Sequence, residues 1–268
     1  MTTTTLLQLL FTLNFMLYVG KDWMAEYHFL QPTIGPLTIL STADLIGLAE
    51  NTPTARQDFG RLPTWLGMAA VAALDLDYVV ITSVNRDDLA DGGAAHWAAT
   101  VRAVRRHAPR CRVEALIPDF QGRAASLRAV VEAGPDVLNH NTETVPRLYR
   151  VARPGGRYEW VLELFRRARA WAPQLRTKSG LILGLGETRD ELVATFRDLR
   201  AVDVEILTLG QYLRPSPAHL PVARYYHPDE FAELAAVARD LGFAYVEAGP
   251  LVRSSYHAKR QTLAAERA

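Results

Sequence analysis

The 268 residues predict an α/β protein built as a full or partial parallel (β/α) barrel. From residue 64 onward, short apolar runs alternate with helical stretches, the pattern of parallel strands joined by helical crossovers. The runs lack clean apolar–polar alternation, as strands covered on both faces do. No Gly-x-Gly-x-x-Gly opens the first helix, and six strands exceed what a small sandwich needs. A barrel is therefore preferred to a doubly wound sheet.

The N-terminal run over 6–19 is apolar but broken by Gln8, Thr12 and Asn14. It is shorter than the ~20 residues of a membrane-spanning helix, and four threonines rather than basic residues follow Met1. A buried or peripheral helix is expected there. A helix over 64–74 then leads to a strand over 78–82. A helix over 95–107 precedes a strand over 112–117, and a helix over 124–133 a short strand over 136–139. Helices over 158–170, 191–200 and 228–241 alternate with strands over 177–183, 205–209 and 244–247. The expected division is an atypical N-terminal segment over 1–63, a barrel over 64–259 and a C-terminal tail over 260–268.

Composition narrows the function classes. Hydrophobic residues make up 49% and charged residues 22%, and the formal net charge is +1, so nothing points to nucleic acid or to a membrane surface. A cytoplasmic protein is expected. The single cysteine, Cys111, excludes an intrachain disulfide and any site built from several protein thiolates; a buried packing role is expected for it. Basic residues are unevenly spread. The first 60 residues hold only Lys21 and Arg56, whereas the other 208 hold 28.

Polar clusters recur where the strands end, which in a barrel is where active sites gather. They are Thr82-Ser83-Val84-Asn85-Arg86-Asp87-Asp88 with Asp91-Gly92-Gly93, Pro118-Asp119, Asn139 to Thr144, Lys178 with Gly184-Leu185-Gly186-Glu187, Gln211 to Ser216, and Arg253 to His257. Each has a plain reading alone: Asp87 and Asp88 as helix caps, His140 as a satisfied core histidine, Gly184 and Gly186 as close-packing glycines. Six clusters at six successive strand ends point instead to a shared ligand site.

These runs resemble lipoyl synthase. Thr82 to Leu89 with Asp91-Gly92-Gly93-Ala94, and Asn139-His140-Asn141 with Glu143 to Tyr149, follow that family's order and spacing. So do Thr177-Lys178-Ser179-Gly180 with Gly184 to Glu187, Gly210-Gln211-Tyr212 with His219-Leu220-Pro221, and Gly249 to Ala258. The resemblance covers about residues 66–259. It implies a partial parallel barrel of the radical-SAM type that inserts two sulfur atoms into an octanoyl group. That group is carried on a lysine of an octanoylated lipoyl carrier domain or H protein. S-Adenosyl-L-methionine and two [4Fe–4S] clusters are the implied cofactors. By position, Asp91, Gly92 and Gly93 would meet the methionine end of S-adenosylmethionine. Ser83, Asn141, Glu143, Lys178 and Gln211 would line the pocket, and Ser254 or Ser255 would be the serine ligand of the auxiliary cluster.

The resemblance also calls for a Cys-x3-Cys-x2-Cys loop ahead of the first matched helix and three further cysteines. At the loop's place stand Ser41-Thr42-Ala43-Asp44-Leu45 and Ala49-Glu50-Asn51-Thr52. Thiolates hold such clusters, so this polypeptide is expected to make no lipoyl group. Three readings remain open: a lipoyl synthase locus whose N-terminal third is replaced by a shifted frame or wrong start; a non-catalytic relative that binds S-adenosylmethionine or an octanoyl carrier; and a different enzyme holding a divalent metal on His140, Glu143, His219 or His257. Residues 32–39 are the candidate for replacing a first strand, although Pro32, Gly35 and Pro36 argue against a regular one. Otherwise an open barrel edge would expose backbone groups and lower solubility.

Overall fold

The computed structural model describes the backbone of Leu17–Val19 and residues 76–267. The helix expected over 64–74, the strand expected over 32–39 and the altered loop over 41–52 lie outside the described residues. Seven strands form one sheet in sequence order, β1 (Leu17–Val19), β2 (Tyr78–Thr82), β3 (Arg112–Leu116), β4 (Val137–Asn139), β5 (Arg176–Leu183), β6 (Ile206–Gln211) and β7 (Tyr245–Gly249). Strands β2 to β7 pair in parallel. The sheet does not close, so the barrel is partial.

Two sequence expectations need correction. The last three residues of the run over 6–19 are not helical. As β1 they pair antiparallel with β2, Tyr18 opposite Val80, and occupy the edge that an open barrel would leave bare. The expected tail is largely a helix, α7 (Ala258–Ala265), whose Gln261, Thr262 and Ala265 are buried.

Helices α1 (Ala94–His107), α2 (Ala124–Glu132), α4 (Tyr158–Trp171), α5 (Arg189–Ala201) and α6 (Pro228–Asp240) connect the strands, with a one-turn α3 (Tyr149–Ala152) ahead of α4. Side chains alternate across each strand. Ala115, Leu138, Leu181, Leu183, Leu207 and Leu209 face these helices and meet Leu127, Val130, Phe165, Phe196 and Phe231 in one continuous core. Each fully buried side chain of this size contributes about 1.5–3 kcal/mol. Helix α5 begins at a reciprocal cap: Thr188 Oγ1 accepts from Glu191 N while the Glu191 carboxylate accepts from Thr188 N.

The other face of the sheet carries different chemistry. Register places Val80 beside Glu114, Leu116 beside Asn139, Asn139 beside Lys178 and Gly180 beside Thr208. Helix α7 lies against this inner face, with Ala258 packed on Tyr78 and Val80.

Candidate ligand-binding site

The inner face holds a buried polar network. Glu114 and Lys178 are both fully buried, and Lys178 Nζ lies 2.9 Å from Glu114 Oε1. The same carboxylate accepts from Asn139 Nδ2 (2.7 Å) and from the Tyr78 hydroxyl (2.7 Å), and Tyr78 is 2.8 Å from Thr262 Oγ1 of α7. Burial, and then the Glu114 charge, push the Tyr78 phenol up. Burial pulls the Lys178 ammonium down from its ordinary value, against the opposing pull of Glu114. Lys178 is satisfied by this ion pair, whereas Asn139 Oδ1 is buried without a donor. Buried donors and acceptors are seldom left unpaired.

Nearer the strand ends, Asn141 Oδ1 accepts from Ser254 Oγ at 2.7 Å. A Cβ on Gly180 would stand 2.6 Å from Thr208 Oγ1 and 3.1 Å from Asn141 Oδ1, so glycine alone lets these groups close on the strand. Glu143, in the left-handed region at φ 68°, has its carboxyl pushed up by burial, opposed by a hydrogen bond from the Asn141 side chain and by the Arg153 charge. Arg153 donates to Asn141 O (2.9 Å) and pairs with Asp119 at 3.4 Å. His140 donates from Nδ1 to Ile117 O (2.7 Å), leaving Nε2 facing Arg153 Nη1 at 3.4 Å. Burial and the Arg153 charge push its pKa down to about 4, so it is a neutral, satisfied core histidine.

Of the residues proposed from sequence, Asn141, Glu143, Lys178 and Ser254 share this face. The others are engaged elsewhere. Asp91 accepts from Gly93 N (2.9 Å) and Ala95 N (2.8 Å) and so fastens the start of α1. Gly92 and Gly93 have φ of 65° and 84°, and a Cβ on Gly92 would stand 2.9 Å from Phe120 Cδ1. Ser83 Oγ accepts from Trp97 Nε1 at 3.1 Å. The Gln211 amide clasps a neighbouring loop, donating to Leu183 O and Arg224 O and accepting from Tyr226 N. Ser255 is half-buried and its carbonyl accepts from Ala258 N. Glu187 closes its own glycine loop by accepting from Gly184 N and Leu185 N.

Sequence reasoning missed Glu114, Tyr78, Thr208 and Thr262. The signal for Glu114 was present, since it is the one acidic residue inside an otherwise apolar run over 113–117. Such a charge on a covered strand requires a partner. The divalent-metal reading finds no support in the described residues. Among the described residues no three His, Cys, Asp or Glu side chains converge. His219 pairs with Ser216 Oγ (2.8 Å), and His257 stacks on Tyr256 and contacts Arg260.

Residues 66–199 match the radical SAM superfamily, half of the chain. The chain belongs to the radical SAM superfamily. Curated relatives carry the resemblance further. The chain is 50% identical over 197 residues to the lipoyl synthase of Pseudoalteromonas atlantica, covering 73% of this chain and 62% of that protein. It is 54% identical over 198 residues to that of Rubrobacter xylanophilus (74% and 62%) and 56% identical over 192 residues to that of Koribacter versatilis (72% and 63%). The chain thus spans less than two thirds of the length of these relatives.

A [4Fe–4S] cluster does not fit the residues of this radical SAM chain. Its one thiol, Cys111, is buried beside Val79, Val101, Val104 and Val113 just ahead of β3, at the strand end opposite Asn141 and Ser254. Burial, and then Asp77 and Asp136, push this thiol up to about 11, so it remains protonated at neutral pH. A cavity of about 330 Å³ bounded by Arg112, Asp136, Arg176 and Glu266 lies at that same end, away from the polar inner face.

Proposed function

We propose that this chain is the barrel portion of a lipoyl synthase, the family reaction being sulfur insertion into a protein-bound octanoyl group in lipoate biosynthesis. This polypeptide binds S-adenosylmethionine on the inner face but inserts no sulfur. The observation that supports the binding half is the buried polar cluster of the inner face, in which Lys178 is paired with Glu114 and Asn139 Oδ1 is left without a donor. A zwitterionic amino acid supplies the ammonium donor that Asn139 Oδ1 lacks and a carboxylate that the Lys178 charge attracts. When bound and reductively cleaved, S-adenosylmethionine supplies a hydrogen-abstracting radical in this superfamily. The chain's own residues bind and orient: Lys178 meets the carboxylate, Asn139 the ammonium, and Asn141 with Ser254 and Glu143 the ribose and the approaching acyl group. Asp91, Gly92, Gly93, Ser83 and Gln211 support this by fixing the loops around the site rather than by contact.

The partner under this reading is an octanoylated lipoyl carrier domain or H protein. The test is calorimetric titration of the full chain with S-adenosylmethionine. One site per chain is expected, weakened about tenfold or more in Lys178→Met, since a charge-assisted hydrogen bond contributes about 1.5–3 kcal/mol. No heat from protein whose circular dichroism shows it folded contradicts the reading.

The non-catalytic relative is a second reading, favoured by the protonated, remote Cys111. Translation of the DNA for residues 1–66 in all three frames separates the two. A Cys-x3-Cys-x2-Cys in another frame identifies a displaced lipoyl synthase arm, and its absence from every frame favours the binding protein.

A further inference from the structure

We infer that Glu114 is a positioning residue that aims Lys178 at its ligand, and that the C-terminal helix α7 reaches the site through Thr262 and Tyr78. The inference rests on the proposed role of Lys178 and extends it to residues that no comparison assigns.

The hydrogen-bond directions follow from chemistry. A carboxylate accepts and does not donate, so the single Tyr78 proton points to Glu114. Thr262 must then donate to the Tyr78 oxygen at 2.8 Å. Asn139 Nδ2 holds the other side of the carboxylate at 2.7 Å. Glu114 is thus gripped by β2 and β4 and presents Oε1 to Lys178 on β5. The ionisable groups acting on Lys178 are Glu114, in contact with it, and Glu247 of β7; Tyr78 acts through Glu114, and Asn139 and Thr262 do not titrate. Helix α7 is itself tied down at both ends, by Lys259 to Asp77 and by Glu266 to Arg112, with Arg260 on Glu247 between them. A shift of α7 is therefore felt at Lys178 through two hydrogen bonds and one ion pair. The arrangement makes the affinity of the inner face depend on the C-terminal helix, although α7 contributes no ligand contact.

The chain has three lysines, Lys21, Lys178 and Lys259, so side-chain ¹³Cε resonances of the full chain can be assigned by substitution. Titrating them in wild type, Glu114→Gln and Glu114→Asp should show the Lys178 midpoint falling in Glu114→Gln and largely restored by aspartate. In parallel, Thr262→Val should weaken S-adenosylmethionine binding about threefold, the loss of one hydrogen bond, and change nothing on a Lys178→Met background. Should Glu114→Gln fail to fold, the aspartate and Thr262→Val variants still decide. A Lys178 midpoint unmoved by Glu114→Gln, or a Thr262→Val loss that persists on the Lys178→Met background, overturns the inference. If the midpoint moves but wild type binds no S-adenosylmethionine, the positioning stands and the ligand reading fails.

Discussion

Burying a lysine and a glutamate together is costly unless both partners stay. Lys178→Met strands the Glu114 carboxylate and should cost about 3–5 kcal/mol in urea unfolding. Lys178→Met with Glu114→Gln should cost less than Lys178→Met alone, because the remaining amide carries no charge yet still accepts from Tyr78. Additive losses in that pair would show that the two residues do not act together. His140 gives a pH signature of its own. Its folded pKa of about 4 lies below the ordinary 6.5, so the unfolded chain binds the proton more readily between those values. Its contribution is therefore present above about pH 6.5 and lost as the pH falls toward 4, by roughly 3 kcal/mol in all. His140→Asn should flatten stability over that window relative to wild type, and identical slopes for the two proteins would remove His140 as the cause. Both effects depend on depth in the fold. The sequence offered a satisfied core histidine as the plain reading of His140, and the groups that satisfy it and keep it neutral, Ile117 O and Arg153, became visible only in the fold.

The regular elements from β2 to β7 were legible because each strand is a short apolar run and each intervening helix buries one stripe. Expected strand bounds at 78–82 coincide with β2, and the others differ by one or two residues at their ends. What was not legible depended on distant contacts. Helix α7 has a single large apolar residue, Leu263, and is held by Thr262 on Tyr78 and by ion pairs to Asp77 and Arg112, none of them near in sequence. Strand β1 sits in a run without strand signals and is defined by its pairing to β2. Asp91-Gly92-Gly93 looked like a ligand loop because acid and glycine at a strand end serve either purpose, and here the acid fastens α1. Gly92→Ala should therefore destabilise the protein, since φ of 65° and a Cβ 2.9 Å from Phe120 Cδ1 oppose it, by about 1–2 kcal/mol or more. At the start of α5, Thr188→Ala should cost about 1 kcal/mol in chemical unfolding. An unchanged midpoint would mean that the cap is made by water instead.

On the scale of the whole molecule, the open sheet, its polar inner face and helix α7 describe a radical SAM barrel in a chain that holds a single cysteine. No helix among the described residues is long and apolar enough to cross a membrane. Strand β1 pairs with β2 and becomes the edge in its place, and an edge strand of only three residues offers little backbone to template aggregation. The core of the barrel frame is built from helix-facing leucines and phenylalanines. Under the proposed function, ligand binding and sulfur insertion are separable, the first depending on Lys178 and Asn139 and the second on cysteines that this chain does not contain. The most direct measurement is anaerobic reconstitution of the purified chain with iron and sulfide, followed by iron and acid-labile sulfide analysis and an assay on an octanoylated carrier domain. The account predicts no stoichiometric iron, no brown cluster absorbance and no lipoyl product from protein that still binds S-adenosylmethionine. About four or more irons per chain together with sulfur insertion would contradict it.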